Sequence, residues 1–245
     1  MVALSLGAAV SGVWAATPGP SLPADLPAAE RARLERVAEG ASVSTRVDTT
    51  PFVTRREVFE YLLDHPDFAT HVTRTLRLAR YRIWRTPEGM FLDDGWGATG
   101  RFAVVHATAG QRVMYARGAY RQTLLPAING EAVAMIDYEI TPTDGGRDVV
   151  HATVSGFVKL DSGFLAVAAK IAGPIAQRKA DLEARRLMRT FARVSQALET
   201  DPVDVYERLR QRPDVPPREL EEFARLLGLG GGLRIAPARP ALQQR

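Results

Sequence analysis

Between Leu76 and Val158 the chain offers six runs with strand character, LRLARYRIWR, GMFLDDGW, GRFAVVHATA, QRVMYARGAY, EAVAMIDYEI and RDVVHATVSGFV. Turn residues separate most of them: Pro87-Glu88-Gly89, Gly97 to Gly100, Ala109-Gly110 and Asp144-Gly145-Gly146. Parallel neighbours need a crossover of about a dozen residues or more, commonly a helix. No connection here fits one. The spacing therefore predicts an antiparallel meander.

The flanks are helical. Ala28 to Glu39 has Leu34 and Val37 as its only large apolar residues, and Gly40 follows as a stop signal. ASVSTRVDTTPFV alternates and reads as a strand. Thr54 and Glu57 have capping-box spacing ahead of a short helix with Val58, Phe59 and Leu62 inward. His65-Pro66 breaks it, and Asp67 to Leu76 reads as a second. Ser162 to Leu198 is a long helix with stripes Phe164, Ala168, Ile171, Ile175 and Leu187, Phe191, Val194, Leu198. Gly173-Pro174 should kink or break it. Two more helices are expected at Val203–Arg210 and Pro217–Leu227, then a Gly-rich disordered tail.

This order, strand, two short helices, about six strands and a long helix, resembles the helix-grip fold of the START and birch-pollen-allergen superfamily, which includes polyketide cyclases. VFEYLLDHPDFATHV is similar to that family's opening segment through Val58, Phe59, Leu62, Asp64 and Phe68. The resemblance covers about Val43 to Leu198. It implies an α+β fold, a curved antiparallel sheet of about seven strands wrapped around a long C-terminal helix, with two short helices after the first strand. The expected organisation is a leader over 1–16, a Pro-rich linker and N-terminal helix over 17–42, the helix-grip domain over 43–199, and a helical extension with tail over 200–245.

Residues 1–16 carry no charge, and Val13 and Ala15 stand at −3 and −1 of a small-residue cleavage site. They read as a secretory signal, implying a periplasmic or secreted protein. The positively charged n-region is missing, so a short buried strand is the other reading, with a cytoplasmic protein. With no cysteine, disulfides, thiol nucleophiles and Cys-based metal sites are excluded.

Alternation assigns faces. Ala132, Ala134, Ile136, Tyr138 and Ile140 form an apolar side, and Glu131, Val133, Met135, Asp137 and Glu139 a side suited to water. Val150, Ala152, Val154, Gly156 and Val158 form the inner side of the last strand. Met114, Ala116, Gly118 and Tyr120 form that of the fourth run. Many inner residues are small. Small residues facing a helix leave either tight contact or a cavity, and the resemblance favours a cavity. Its candidate lining is Met114, Ala116, Gly118, Tyr120, Ala134, Ile136, Tyr138, Val154, Phe164, Ala168 and Ile171, holding a lipid or other hydrophobic small molecule.

No catalytic motif, metal site or cofactor site is expected. His65, His71, His106 and His151 read as surface or interstrand histidines, with His106 and His151 as candidate neighbours. Asp93-Asp94 reads as turn chemistry. A cyclase or aromatase on this fold would draw on Tyr120 and Tyr138, and a filled-core interaction protein would dock through residues 203–227 or the arginines. Only three of the 32 basic residues are lysines. Arg74, Arg77, Arg80, Arg82 and Arg85 fall within twelve residues without an acid, as a charge-protected edge strand or a surface for anionic membrane. Nucleic acid is not expected, because the net charge is only +4 and aromatics are 7%.

Overall fold

The computed structural model describes residues 22–122, 125–143, 147–161 and 173–230. The expected leader and the candidate residues Phe164, Ala168 and Ile171 lie outside them. The elements are α1 (Ala28–Glu39), β1 (Val43–Asp48), β2 (Phe52–Thr54), α2 (Arg56–Asp64), α3 (Pro66–Thr75), β3 (Arg82–Thr86), β4 (Gly89–Asp93), β5 (Ala98–Thr108), β6 (Gln111–Gln122), β7 (Leu125–Pro142), β8 (Asp148–Leu160), α4 (Gly173–Thr200), α5 (Pro202–Arg210) and α6 (Pro217–Leu226). Gly173-Pro174 opens the described part of α4, and the residues before it, where the expected kink or break would show, lie outside the described residues.

The capping box does not form. Thr54 is the last residue of β2 and pairs with Asp148 of β8. Its side chain makes no cap, and Arg55 holds the N-cap position. The Arg56 N–H donates instead to Asp148 Oδ2 at 3.0 Å. A cap expected from local spacing is replaced by a carboxylate 92 residues away.

Among the described residues the sheet has eight strands in the order β1-β8-β7-β6-β5-β4-β3, with β2 also on β8. All pairings are antiparallel. The fold is α+β helix-grip: a meander whose first strand returns beside its last, gripping α4. Bulges between Val104 and His106 and between Tyr120 and Gln122 bend the strands. Gly100 faces Gly118, and a Cβ on Gly118 would sit 2.1 Å from the Thr99 carbonyl oxygen. Only glycine permits that approach of β5 to β6.

Both faces of the sheet are covered. On the concave face Val47, Phe52, Ile136, Val150 and Val154 pack with Phe59 and Leu63 of α2 and Ala184 and Met188 of α4. The convex face, expected to suit water, carries a second core: Val113, Val133, Met135 and Phe157 lie under Leu26, Leu34 and Val37. Each of these seven is 6% exposed or less. A third cluster joins Val58, Leu62, Phe68 and Val72 to Val194 and Leu198 of α4, Val205 and Leu209 of α5, and Leu220 and Phe223 of α6. The helices expected to offer a docking surface use their apolar faces internally.

Helix α4 is seated off-centre. Thr45 Oγ1 of β1 donates to Asp181 Oδ1 at 2.5 Å, and Gln177 Nε2 donates to the Ser44 carbonyl. The N-terminal half of α4 is thereby tied to the β1 edge. Space over the opposite strands is left for α2, α3 and whatever lies between.

Candidate functional site

That space is a cavity of about 270 Å³. Its floor is Ile83 of β3, Leu92 of β4, Phe102 of β5, Met114 of β6, and Ala134 and Ile136 of β7. Leu187, Phe191 and Val194 of α4 form one wall, and Leu62, Leu63, Pro66, Ala69, Thr70 and Thr73 of α2 and α3 the other. Small-molecule pockets typically run about 300–1,000 Å³ with mostly apolar walls. This one falls just below that range and is almost wholly apolar.

Its few polar groups are mostly engaged. Thr70 Oγ1 donates to the Asp67 carbonyl at 2.8 Å and accepts from the Ile83 N–H at 3.3 Å. Thr73 Oγ1 donates to the Thr70 carbonyl at 3.2 Å. Asp94 Oδ1 accepts from the N–H groups of Trp96 and Ala98 at 2.7 and 2.9 Å, the turn chemistry expected of it. The exception is Tyr81. Its hydroxyl has no hydrogen-bond partner among the described residues, while burial pushes its pKa up to about 12 against the opposing pull of Arg186. Tyr81 is therefore a neutral donor available to a ligand.

Of the residues expected to line a site, Met114, Ala134 and Ile136 meet here. Val154 is buried against α4 in the neighbouring core. Ala116 lies between Phe102 and Ala132 in the ladder, outside the cavity wall. Gly118 serves the close strand approach, and Tyr120 lies further along β6 opposite Ala98 and Ile128. The Tyr138 hydroxyl donates to Glu60 Oε1 at 3.2 Å and accepts from Arg112 Nη1 at 3.0 Å. Sequence reasoning missed Tyr81 because it sits inside the arginine run, and missed the α3 wall because periodicity does not say what a helix covers.

The arginine run is not one strand. Arg74 lies in the last turn of α3, Arg77 and Arg80 precede β3, and only Arg82 and Arg85 are in it. β3 is the sheet edge, so charge protection applies to those two. Arg85 Nε pairs with Asp67 at 2.6 Å. Arg74 and Arg77, with Arg80, line a separate concavity of about 510 Å³ shared with Arg186 of α4 and Arg212.

His106 and His151 are not neighbours: His106 faces Val113 on β6, and His151 faces Glu139 on β7. Among the described residues no group of three or more His, Asp or Glu could hold a metal. His71 is the perturbed histidine. Burial pushes its pKa down, and Asp214 at 3.6 Å only partly opposes this. The folded chain then binds fewer protons than the unfolded one just below pH ~6.5, so stability is complete above that value and falls as pH drops. Asp214, held low chiefly by its bond to Arg212, acts in the same direction but only below pH ~4. Melting temperature should fall from pH 7 to pH 5, and less steeply in His71→Gln. An identical pH profile in that variant would show that His71 is not a source of the effect.

No protein-family model and no curated protein matches the chain. Solved structures similar to it include a START superfamily protein from Mycobacterium smegmatis, at 14% identity over 63% of this chain and 97% of that one, TM-score 0.34. Norcoclaurine synthase from Thalictrum flavum is 13% identical over 64% and 87%, TM-score 0.35. A di-domain ARO/CYC protein of the steffimycin biosynthetic pathway is 19% identical over 72% and 62%, TM-score 0.35. The helix-grip assignment stands on this chain's own element order and register.

Proposed function

We propose that this protein binds a hydrophobic small molecule between the sheet, α2–α3 and α4. One observation carries the proposal: an apolar cavity of about 270 Å³ whose lining includes a phenol without a partner among the described residues. Burial of apolar ligand surface would supply the affinity, at ~25 cal/mol per Å². Tyr81 would orient the ligand through its single donor. Proton-moving chemistry of the cyclase kind gains no support from Tyr138, whose hydroxyl is held by Arg112 and Glu60.

The test uses N-phenyl-1-naphthylamine, a neutral apolar fluorophore. The full chain should enhance its emission saturably. Ala134→Phe places a ring on the cavity floor and should weaken binding by about tenfold or more, because ring and probe compete for one small volume. Its melting temperature should hold or rise, since filling a void is commonly stabilising. Equal binding by the variant would reject the cavity as the site. Native mass spectrometry of protein from its own host would then identify the natural occupant.

A further inference from the structure

The geometry points to a single-chain anionic amphiphile as the ligand, its apolar body in the cavity and its carboxylate or phosphate head on Arg77, Arg80 and Arg186. This deepens the binding function proposed above and rests on it. Arg80 and Arg186 of the concavity are the sequence neighbours of Tyr81 and Leu187 in the cavity lining, and the Arg186 charge acts on the Tyr81 phenol. At about 270 Å³ the cavity is too small for two chains.

The concavity is under-neutralised. Five guanidiniums line it. Asp214 serves Arg74 at 3.5 Å and Arg212 at 2.8 Å, and Glu183 lies 3.8 Å from Arg186. Arg77 and Arg80 pair with no carboxylate among the described residues. Arg80 lies 5.2 Å over the Trp96 ring. Burial, then the nearby Arg212 and Arg82, hold the Arg74 pKa below its ordinary value, which an anion would relieve. Guanidinium forks suit a carboxylate or phosphate head.

The backbone at Arg77 adds an independent observation. Helix α3 closes with Arg77 N–H donating to the Arg74 carbonyl and Leu78 N–H to the Thr73 carbonyl, with Arg77 at φ 56°. Helix α6 closes in the same way, Gly228 N–H to Arg225 and Leu229 N–H to Ala224, with Gly228 at φ 74°. Glycine is the usual residue at this left-handed position. One helix uses it, and the other keeps an arginine there against its conformational preference. Strain retained at one of two equivalent ends points to a side chain needed where it stands.

The experiment is displacement of N-phenyl-1-naphthylamine from the full chain by decanoate, by 10-carbon lysophosphatidic acid and by neutral monodecanoylglycerol. The anions should displace about tenfold better than the neutral lipid, and Arg80→Gln/Arg186→Gln should remove that advantage while leaving the fluorophore's own binding intact. The stronger anion shows whether the head is carboxylate or phosphate. Arg77→Gly should keep or raise the melting temperature and weaken the anions. A lowered melting temperature with unchanged anion binding would overturn the role of Arg77. Equal displacement by all three lipids would overturn the headgroup assignment and leave the cavity standing. No fluorophore binding by the unmutated chain would overturn the cavity and this inference with it. Phosphatidylglycerol vesicles bound equally by Ala134→Phe, with no preference among the single-chain lipids, would assign the arginines to a membrane surface instead.

Discussion

A chain ending at Thr200 should not fold. Such a chain lacks α5 and α6, which place Val205, Leu209 and Phe223 at 1% exposure or less against Phe68, Val72 and Leu198. Val215, Leu220 and Leu227 complete the same cluster. Burying a large apolar side chain is worth about 1.5–3 kcal/mol. Six lost at once, with their partners newly exposed, match or exceed the ~5–15 kcal/mol by which whole domains are stable. Polar ties go too: Arg55 Nη1 donates to the Leu226 carbonyl at 3.2 Å, and the Tyr61 hydroxyl to that of Glu219 at 3.3 Å. Circular dichroism melting of the truncated chain should show no cooperative transition. The milder Phe223→Ala should still fold while losing about 3–5 kcal/mol. A truncated chain melting within a few degrees of the full one would show that α5 and α6 are an accessory.

Much of the architecture was legible because its elements are locally consistent. Helix α1 occupies Ala28–Glu39 as expected, since Gly40 ends a run with two apolar residues on one face. The meander was legible because turn residues punctuate it. What Leu34 and Val37 cover was not. Val133 and Met135 alternate with the cavity face among Glu131, Asp137 and Glu139, so composition assigned them to water. In the fold, only the middle of that strand lies beneath α1. The site was legible in the same measure. Met114, Ala134 and Ile136 follow from strand alternation. The α2–α3 wall and the Arg186–Arg212 side of the concavity depend on helix placement over long sequence separations. Small residues were ambiguous for a physical reason: Ala134 leaves space, whereas Gly118 removes a clash.

Asp64→Ala should be the most damaging point change outside the apolar cores. Arg112 is on the concave face, 5% exposed. Its Nε and Nη2 donate to the two Asp64 oxygens at 2.6 and 3.1 Å. Nη1 donates to the Tyr138 hydroxyl at 3.0 Å, to the Gln111 carbonyl at 3.0 Å and to the Thr108 carbonyl. Burial alone would push the guanidinium pKa down, but the bond to Asp64, with Tyr138 and Glu60 nearby, leaves it above its ordinary value. The network pins the C-terminal end of α2, and so one wall of the cavity, to the sheet. Removing Asp64 leaves a buried cation without its counter-ion, a defect worth about 3–5 kcal/mol when both partners are buried. The Asp64 side chain is 40% exposed, so about 2–3 kcal/mol is expected here. Arg112→Met should cost less, because the carboxylate it strands can hydrate. The double variant should recover much of the Asp64→Ala loss, since no unpaired charge is then buried. Urea unfolding of the three variants measures this directly. An Asp64→Ala protein as stable as Arg112→Met, or a double variant no better than Asp64→Ala, would mean that the pair does not hold α2 to the sheet.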